Sequence, residues 1–263
     1  MTMRLGVCAG VVLVSSGSVL AQYGSINSLA EANYWYADYF GRSQLTVTNN
    51  GMTGIRYEDR NFTGGGFANR HQAALAVDGV PFQFNRNAAF QFDVDIAING
   101  AGRSEAGIWL GTAPFFPNSA SADIGQFVAL PDNGGEIAAF GGVLPFFSNN
   151  QNPFDNGTPN PPGNMARAVR NTTLHFTMIY EPSVPAISYG VNGVYTGQLR
   201  GFMNSFAGIS DGSLLGVYVQ GPNGAPQQGD VDVQFSNLRI TVPAPASAVL
   251  LGIGGLAAAR RRR

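Results

Sequence analysis

The stretch DVDVQFSNLRITV, Asp230 to Val242, decides the fold. Val231, Val233 and Phe235 alternate with Asp232 and Gln234. The phase then shifts near Ser236-Asn237, and Leu238, Ile240 and Val242 carry the apolar face onward. A period of two places one set of side chains in a core and the other outside, which is a half-buried strand. Ser236-Asn237 is the predicted break.

The same alternation recurs upstream. In AFQFDVDIAING, Phe90, Phe92, Val94, Ile96 and Ile98 share one face, with Gln91, Asp93, Asp95 and Ala97 opposite. In TLHFTMIY, Leu174, Phe176, Met178 and Tyr180 share a face, opposed by His175 and Thr177. Leu215, Val217 and Val219 alternate with Tyr218. Asn-Gly at Asn50, Asn99, Asn133, Asn156, Asn192 and Asn223, and Asp-Gly at Asp78 and Asp211, tolerate the positive φ of tight turns. Strands with one apolar and one polar face pack sheet on sheet, so the expectation is an all-β, antiparallel β-sandwich. The one stretch with a helical period is Ser28–Tyr39. Between Gly111 and Met165 the pattern is irregular. APFFPN and LPFFSN carry Phe115, Phe116, Phe146 and Phe147, and residues 148–164, dense in Asn, Pro and Gly, read as a long surface loop.

The YGVNGVY hairpin, Tyr189–Tyr195, and the closing VDVQFSNLRI resemble a concanavalin-A-like jelly roll of the laminin-G or legume-lectin type, spanning about residues 23–242. The other reading of the same strands is a different β-sandwich or jelly roll.

Both ends read as addresses. Arg4, the apolar run Leu5–Val14 and Val19-Leu20-Ala21 make a secretory signal over residues 1–21, with cleavage between Ala21 and Gln22 by signal peptidase. Cys8 is the only cysteine and lies inside it, so the mature chain offers no disulfide, thiol nucleophile or thiolate metal site. At the other end Pro243, Ala244 and Pro245 stop the last strand. Ala246–Ala259 is uncharged, and Arg260, Arg261, Arg262 and Arg263 follow. As a helix, that segment reaches about 21 Å, short of a hydrocarbon layer about 30 Å thick. Snorkelling arginines relieve part of the mismatch and anchor the cytoplasmic side. Residues 243–263 resemble the PEP-CTERM sorting signal of bacterial exported proteins, with alanine where that family has glutamate. The resemblance implies an exosortase-like processing enzyme, a membrane anchor by a short C-terminal helix, and an outer-surface or envelope location, anchored or released.

Residues 22–242 hold ten arginines and sixteen acidic residues, a net charge of −6. An acidic body without a basic stripe excludes nucleic acid as partner. Asp93/Asp95 and Asp230/Asp232 are the candidate ligand groups, each pair about 6.5–7 Å apart on one strand face. The spacing overlaps that of inverting glycosidases, about 6.5–9.5 Å. The jelly-roll glucanase motif Glu-x-Asp-x-x-Glu is only half met, because Ile98 takes its third position. If their strands are neighbours, the four aspartates cluster. Calcium then suits their hard oxygens, and Arg239, Arg86 or solvent are the other ways to offset the charge. No other cofactor or metal is expected. His71 reads as part of a polar turn, and His175 as an outward strand residue, with no zinc spacing between them. Trp35, within YWYADYF (34–40), and Trp109 are candidate platforms for a sugar, or core residues. The expected function is non-catalytic binding of carbohydrate or extracellular matrix. A structural coat or matrix protein and a jelly-roll polysaccharide hydrolase are the alternatives.

Overall fold

The computed structural model describes residues 22–34, 44–60, 70–112, 123–132, 134–141, 144–148, 167–182, 186–199, 209–220 and 230–242. The signal segment, the Pro-Ala-Pro tail, Trp35, Phe115, Phe116 and the loop 149–166 therefore lie outside the described residues.

The described strands are β1 (Ser28–Tyr34), β2 (Leu45–Asn49), β3 (Gly54–Asp59), β4 (Arg70–Val77), β5 (Val80–Pro81), β6 (Phe90–Ile98), β7 (Glu105–Thr112) and β8 (Asp123–Leu130). They continue with β9 (Glu136–Gly141), β10 (Leu144–Ser148), β11 (Thr173–Glu181), β12 (Ala186–Val191), β13 (Val194–Leu199), β14 (Ser213–Gln220) and β15 (Val231–Thr241). They form two antiparallel sheets. Sheet A has the order β1-β4-β14-β7-β8-β9-β10, with β5 beside β4; sheet B has the order β13-β12-β11-β6-β15-β3-β2. The expected all-β sandwich is what the chain forms.

The core lies between the sheets and is built by the predicted parity. Phe90, Phe92, Val94, Ile96 and Ile98 of β6, with Phe176, Met178 and Phe235, meet Leu75, Ile108, Leu110, Phe127, Leu215 and Val217 of sheet A. The predicted phase shift in β15 is a β-bulge. The register with β6 slips between Ser236 and Arg239, and Asn237 adopts φ 53°. The extra residue lets Leu238 and Ile240 return to the core side. Asn192-Gly193 turns β12 into β13 with φ 50° and 80°, the left-handed pair that a two-residue hairpin requires.

Two expectations are corrected. Ser28–Tyr34 is a strand, not a helix, because its backbone pairs residue by residue with β4 from Ser28↔Ala76 to Tyr34↔Arg70. A ladder to a neighbour outweighs a short local period. The stretch read as irregular contains β8, β9 and β10. Their alternation is faint because alanine and glycine fill many positions.

Candidate functional site

His71 is not in a turn. It sits on β4 facing the core, fully buried, with Nε2 3.2 Å from Asp59 Oδ2 and its ring stacked on Tyr57 at 5.8 Å. Gln44 N donates to the other oxygen, Asp59 Oδ1. A buried hydrogen-bonding contact of this kind satisfies two polar groups that would otherwise be desolvated at a net cost.

The four predicted aspartates do not form one patch, although β6 and β15 are neighbours as that clustering required. The register sets Asp95 opposite Ser236 and Asp93 opposite Arg239. Asp232 lies four residues from Ser236 along β15, about 13 Å away. It is held instead by Arg56 of β3, whose Nε and Nη2 donate to its two oxygens at 2.8 Å each. Asp230 is exposed just before β15. Neither proposed arginine pairs with Asp93 or Asp95 among the described residues; Arg86 instead approaches Asp211 at 3.6 Å.

Asp93 and Asp95 gather other partners on the outer face of sheet B. His175 faces outward as expected, with its side chain 46% exposed. Its Nδ1 lies 2.7 Å from Asp95 Oδ1, and Asn237 Nδ2 donates to Asp95 Oδ2 at 2.7 Å. Thr177 Oγ1 donates to Asp93 Oδ1 at 2.8 Å, and Gln91 Nε2 to Asp93 Oδ2 at 2.8 Å. Each oxygen of both carboxylates has a side-chain partner. The described residues contain no group of three or more His, Cys, Asp or Glu arranged to hold a metal ion. Calcium prefers six to eight oxygen ligands, so these residues do not fit it.

Trp109 is on the other sheet and 2% exposed, a core residue rather than a sugar platform, and the residues around it form a dense buried cluster that the sequence reading passed over. On the outer face of sheet A the register aligns Arg70 of β4, Gln220 of β14 and Glu105 of β7 in one row. The row continues across β8 at Leu130, which faces Glu136 of β9. The next row inward holds Gln72 and Tyr218, and the one after it Ala74, Gly216, Trp109 and Gln126. These side chains point away from the core, yet Arg70, Gln72, Glu105, Glu136 and Gln220 are each at most 6% exposed.

Glycines in register make room for the aromatic rings. Tyr218 stands opposite Gly107, and Trp109 opposite Gly216. A Cβ at Gly216 would come within 1.8 Å of Ala73 O, so no side chain fits there. The Arg70 guanidinium carbon lies 4.3 Å from the centre of the Tyr218 ring and 5.7 Å from that of Trp109. A cation over ring faces is attracted by their quadrupoles, the more so when desolvated. Tyr218 Oη is 3.1 Å from both Glu105 Oε1 and Gln126 Oε1, and Gln220 Nε2 donates to Glu105 Oε1 at 2.5 Å.

Burial pushes the Glu105 carboxyl up to about 7, and Glu136 adds to the rise. The hydrogen bonds from Tyr218 and Gln220 and the charge of Arg70 oppose it. A carboxyl of this kind exchanges its proton near neutrality, and such groups concentrate at functional sites. One signal in the sequence marks this face. In RHQAALAV, EAGIWLGT and SLLGVYVQ, Arg, Gln, Glu, Trp and Tyr stand at alternate positions whose other members are alanine, glycine and one leucine.

No family model matches the chain, and no curated protein matches it. Solved structures do. The chain is similar to the carbohydrate recognition domain of Emp46p, at 10% identity over 80% of this chain and 88% of that one, with TM-score 0.44. It is similar to the Lotus tetragonolobus seed lectin at 12% identity, 82% and 100% coverage and TM-score 0.44. It is also similar to an alginate lyase from Pseudomonas aeruginosa at 14% identity, 79% and 87% coverage and TM-score 0.45.

Proposed function

We propose that the protein binds a carbohydrate on the outer face of sheet B, without cleaving it. The observation that carries this reading is the partly exposed polar cluster there, in which the outward-facing His175 ring stands beside Asp93 and Asp95 with Gln91 and Asn237 at their other oxygens. A sugar offers hydroxyls to amides, carboxyls and imidazoles, so a few convergent polar groups within reach of solvent suit it. The aromatic row on the outer face of sheet A is buried.

Calorimetry with glycans selected on an array tests the proposal. His175→Ala is expected to weaken binding about tenfold, as loss of one or two hydrogen bonds does. Gln72→Ala, on the buried outer face of sheet A, is expected to leave binding unchanged. The opposite pattern would move the site to sheet A. Polysaccharide cleavage is the second reading, favoured by one observation, the His175 ring 2.7 Å from Asp95 and 3.6 Å from Asp93. New reducing ends from a glycan that binds would decide for it.

Export and processing belong to the same proposal. They rest on residues 1–21 and 243–263, and among the described residues no helix is long and apolar enough to cross a membrane. The mature protein from fractionated cells is expected outside the cytosol, with a mass that begins at Gln22. An intact chain recovered from the cytosol would refute this.

A further inference from the structure

We infer that Asn237 is a positioning residue: through Asp95 it fixes the tautomer of His175, so that Nε2 presents a lone pair to a hydroxyl of the bound sugar. This rests on the carbohydrate reading above and adds to it the contact atom and the residue that sets it.

Three adjacent strands build the contact. His175 of β11 stands opposite Asp95 of β6, and Asp95 stands opposite Ser236 of β15. Along β15 Val233 and Phe235 face the core, so an unbroken alternation would turn Asn237 inward as well. The bulge between Ser236 and Arg239, with the left-handed φ of 53° at Asn237, leaves this residue exposed instead. From there its Nδ2 donates to Asp95 Oδ2 at 2.7 Å. Bulges re-aim side chains in this way, and asparagine is one of the few residues besides glycine that tolerate the backbone. The main chain of His175 is held too. Its N–H donates to Asn192 Oδ1 at 2.9 Å, and its carbonyl accepts from Asn192 N at 2.8 Å.

An ionised carboxylate only accepts hydrogen bonds, so the 2.7 Å contact from Asp95 Oδ1 to His175 Nδ1 places the ring proton on Nδ1. The other tautomer would set the Nδ1 lone pair against a carboxylate oxygen, two acceptors with no proton between them. In the neutral ring Nε2 then keeps its lone pair. Among the described residues Nε2 makes no hydrogen bond. Asp93 Oδ1 lies 3.6 Å from it and accepts instead from Thr177 Oγ1 and Gln91 Nε2. The His175 side chain is 46% exposed, so a ligand can reach the ring, and a sugar hydroxyl is the donor that Nε2 lacks. Asn237 acts one step back. Without its amide, Asp95 Oδ2 loses its described side-chain donor, and the carboxylate can turn away from Nδ1.

Nitrogen NMR of the histidine-labelled full chain reads the tautomer without any ligand. His71 and His175 are the only histidines, and the His175→Ala protein identifies their signals. Wild-type His175 is expected to show a protonated Nδ1 and a bare Nε2. Asn237→Gly keeps the left-handed backbone and removes the amide. In it the two ring nitrogens are expected to move toward the averaged shifts of an exchanging imidazole. By calorimetry an array-selected glycan is expected to bind it about fivefold more weakly, the worth of one hydrogen bond. Asn237→Asp keeps the shape and loses the donor, and is expected to give the same two changes, so a poorly folding glycine variant leaves the test intact. A proton on Nε2 in the wild type overturns the inference at once. Unchanged ring nitrogens in the variants remove Asn237 from any positioning role. A changed tautomer with unchanged glycan binding overturns the contact at Nε2. Failure of every glycan to bind overturns the carbohydrate reading and the sugar contact with it, and the tautomer, read without ligand, separates the two failures.

Discussion

Phe127→Ala is expected to lower the unfolding free energy by about 3–5 kcal/mol, the range for removing a buried aromatic ring. Phe127 comes from β8 of sheet A and is fully buried. Its ring stacks on Phe176 of β11 at 4.3 Å and 29°, and lies 4.9 Å from Tyr189 of β12. It therefore ties the two sheets together at the middle of the sandwich. Collapse into the vacated space is restricted, because the surrounding side chains hang from strands fixed on both sides by ladders, β7 and β9 about β8, and β6 and β12 about β11. The residual cavity then adds to the lost transfer energy. Phe127→Leu, which keeps most of the volume, is expected to cost about 1–2 kcal/mol. Urea denaturation followed by circular dichroism measures both. A loss below about 1 kcal/mol for the alanine variant would show that this ring does not bridge the sheets.

Glu105 is expected to make the protein less stable as pH rises. Its carboxyl titrates at about 7 in the folded chain, against 4.5 as the ordinary value. Between these two values the folded state holds a proton that the unfolded state has released. Stability falls with rising pH wherever the folded state binds more protons. The loss begins near pH 4.5 and is complete somewhat above pH 7, at about 1.4 kcal/mol per unit, so about 3 kcal/mol in all. Glu105→Gln keeps the shape and cannot ionise. The variant is expected to match the wild type at pH 4 and to exceed its stability by about 2–3 kcal/mol at pH 8. Other groups titrate over the same range, and the difference between the two proteins at each pH isolates Glu105. A variant less stable than wild type at pH 8 would mean that the ionised carboxyl is well compensated in the fold.

Much of sheet B was legible because its strands are strongly two-faced. The parity of β6, β11 and β15, the turn at Asn192-Gly193 and the break at Ser236-Asn237 all appear where the alternation put them. Sheet A was harder to read. Residues such as Ala73, Ala74, Ala76, Ala138 and Ala139 are buried on both of its faces, so apolar positions do not alternate. The polar residues that do alternate, Gln72, Glu105, Glu136 and Gln220, read as solvated when only the period is known. Asp93 and Asp95 drew attention because two carboxylates two residues apart are conspicuous on one strand. The structure spends them on His175, Thr177, Gln91 and Asn237.

By itself the sequence determined the elements and their inward faces, since side-chain direction along a strand is a local property with a period of two. It did not determine which strands lie side by side, because register comes from contacts between segments far apart in the chain. Arg70, Glu105 and Gln220 meet in one row only because β14 inserts between β4 and β7. Asp232 is drawn from Asp95 to Arg56 for the same reason, through the pairing of β15 with β3. The burial of the outer face of sheet A, which raises Glu105, is likewise a property of the folded chain, because desolvation depends on everything that surrounds a group and not on its neighbours in sequence.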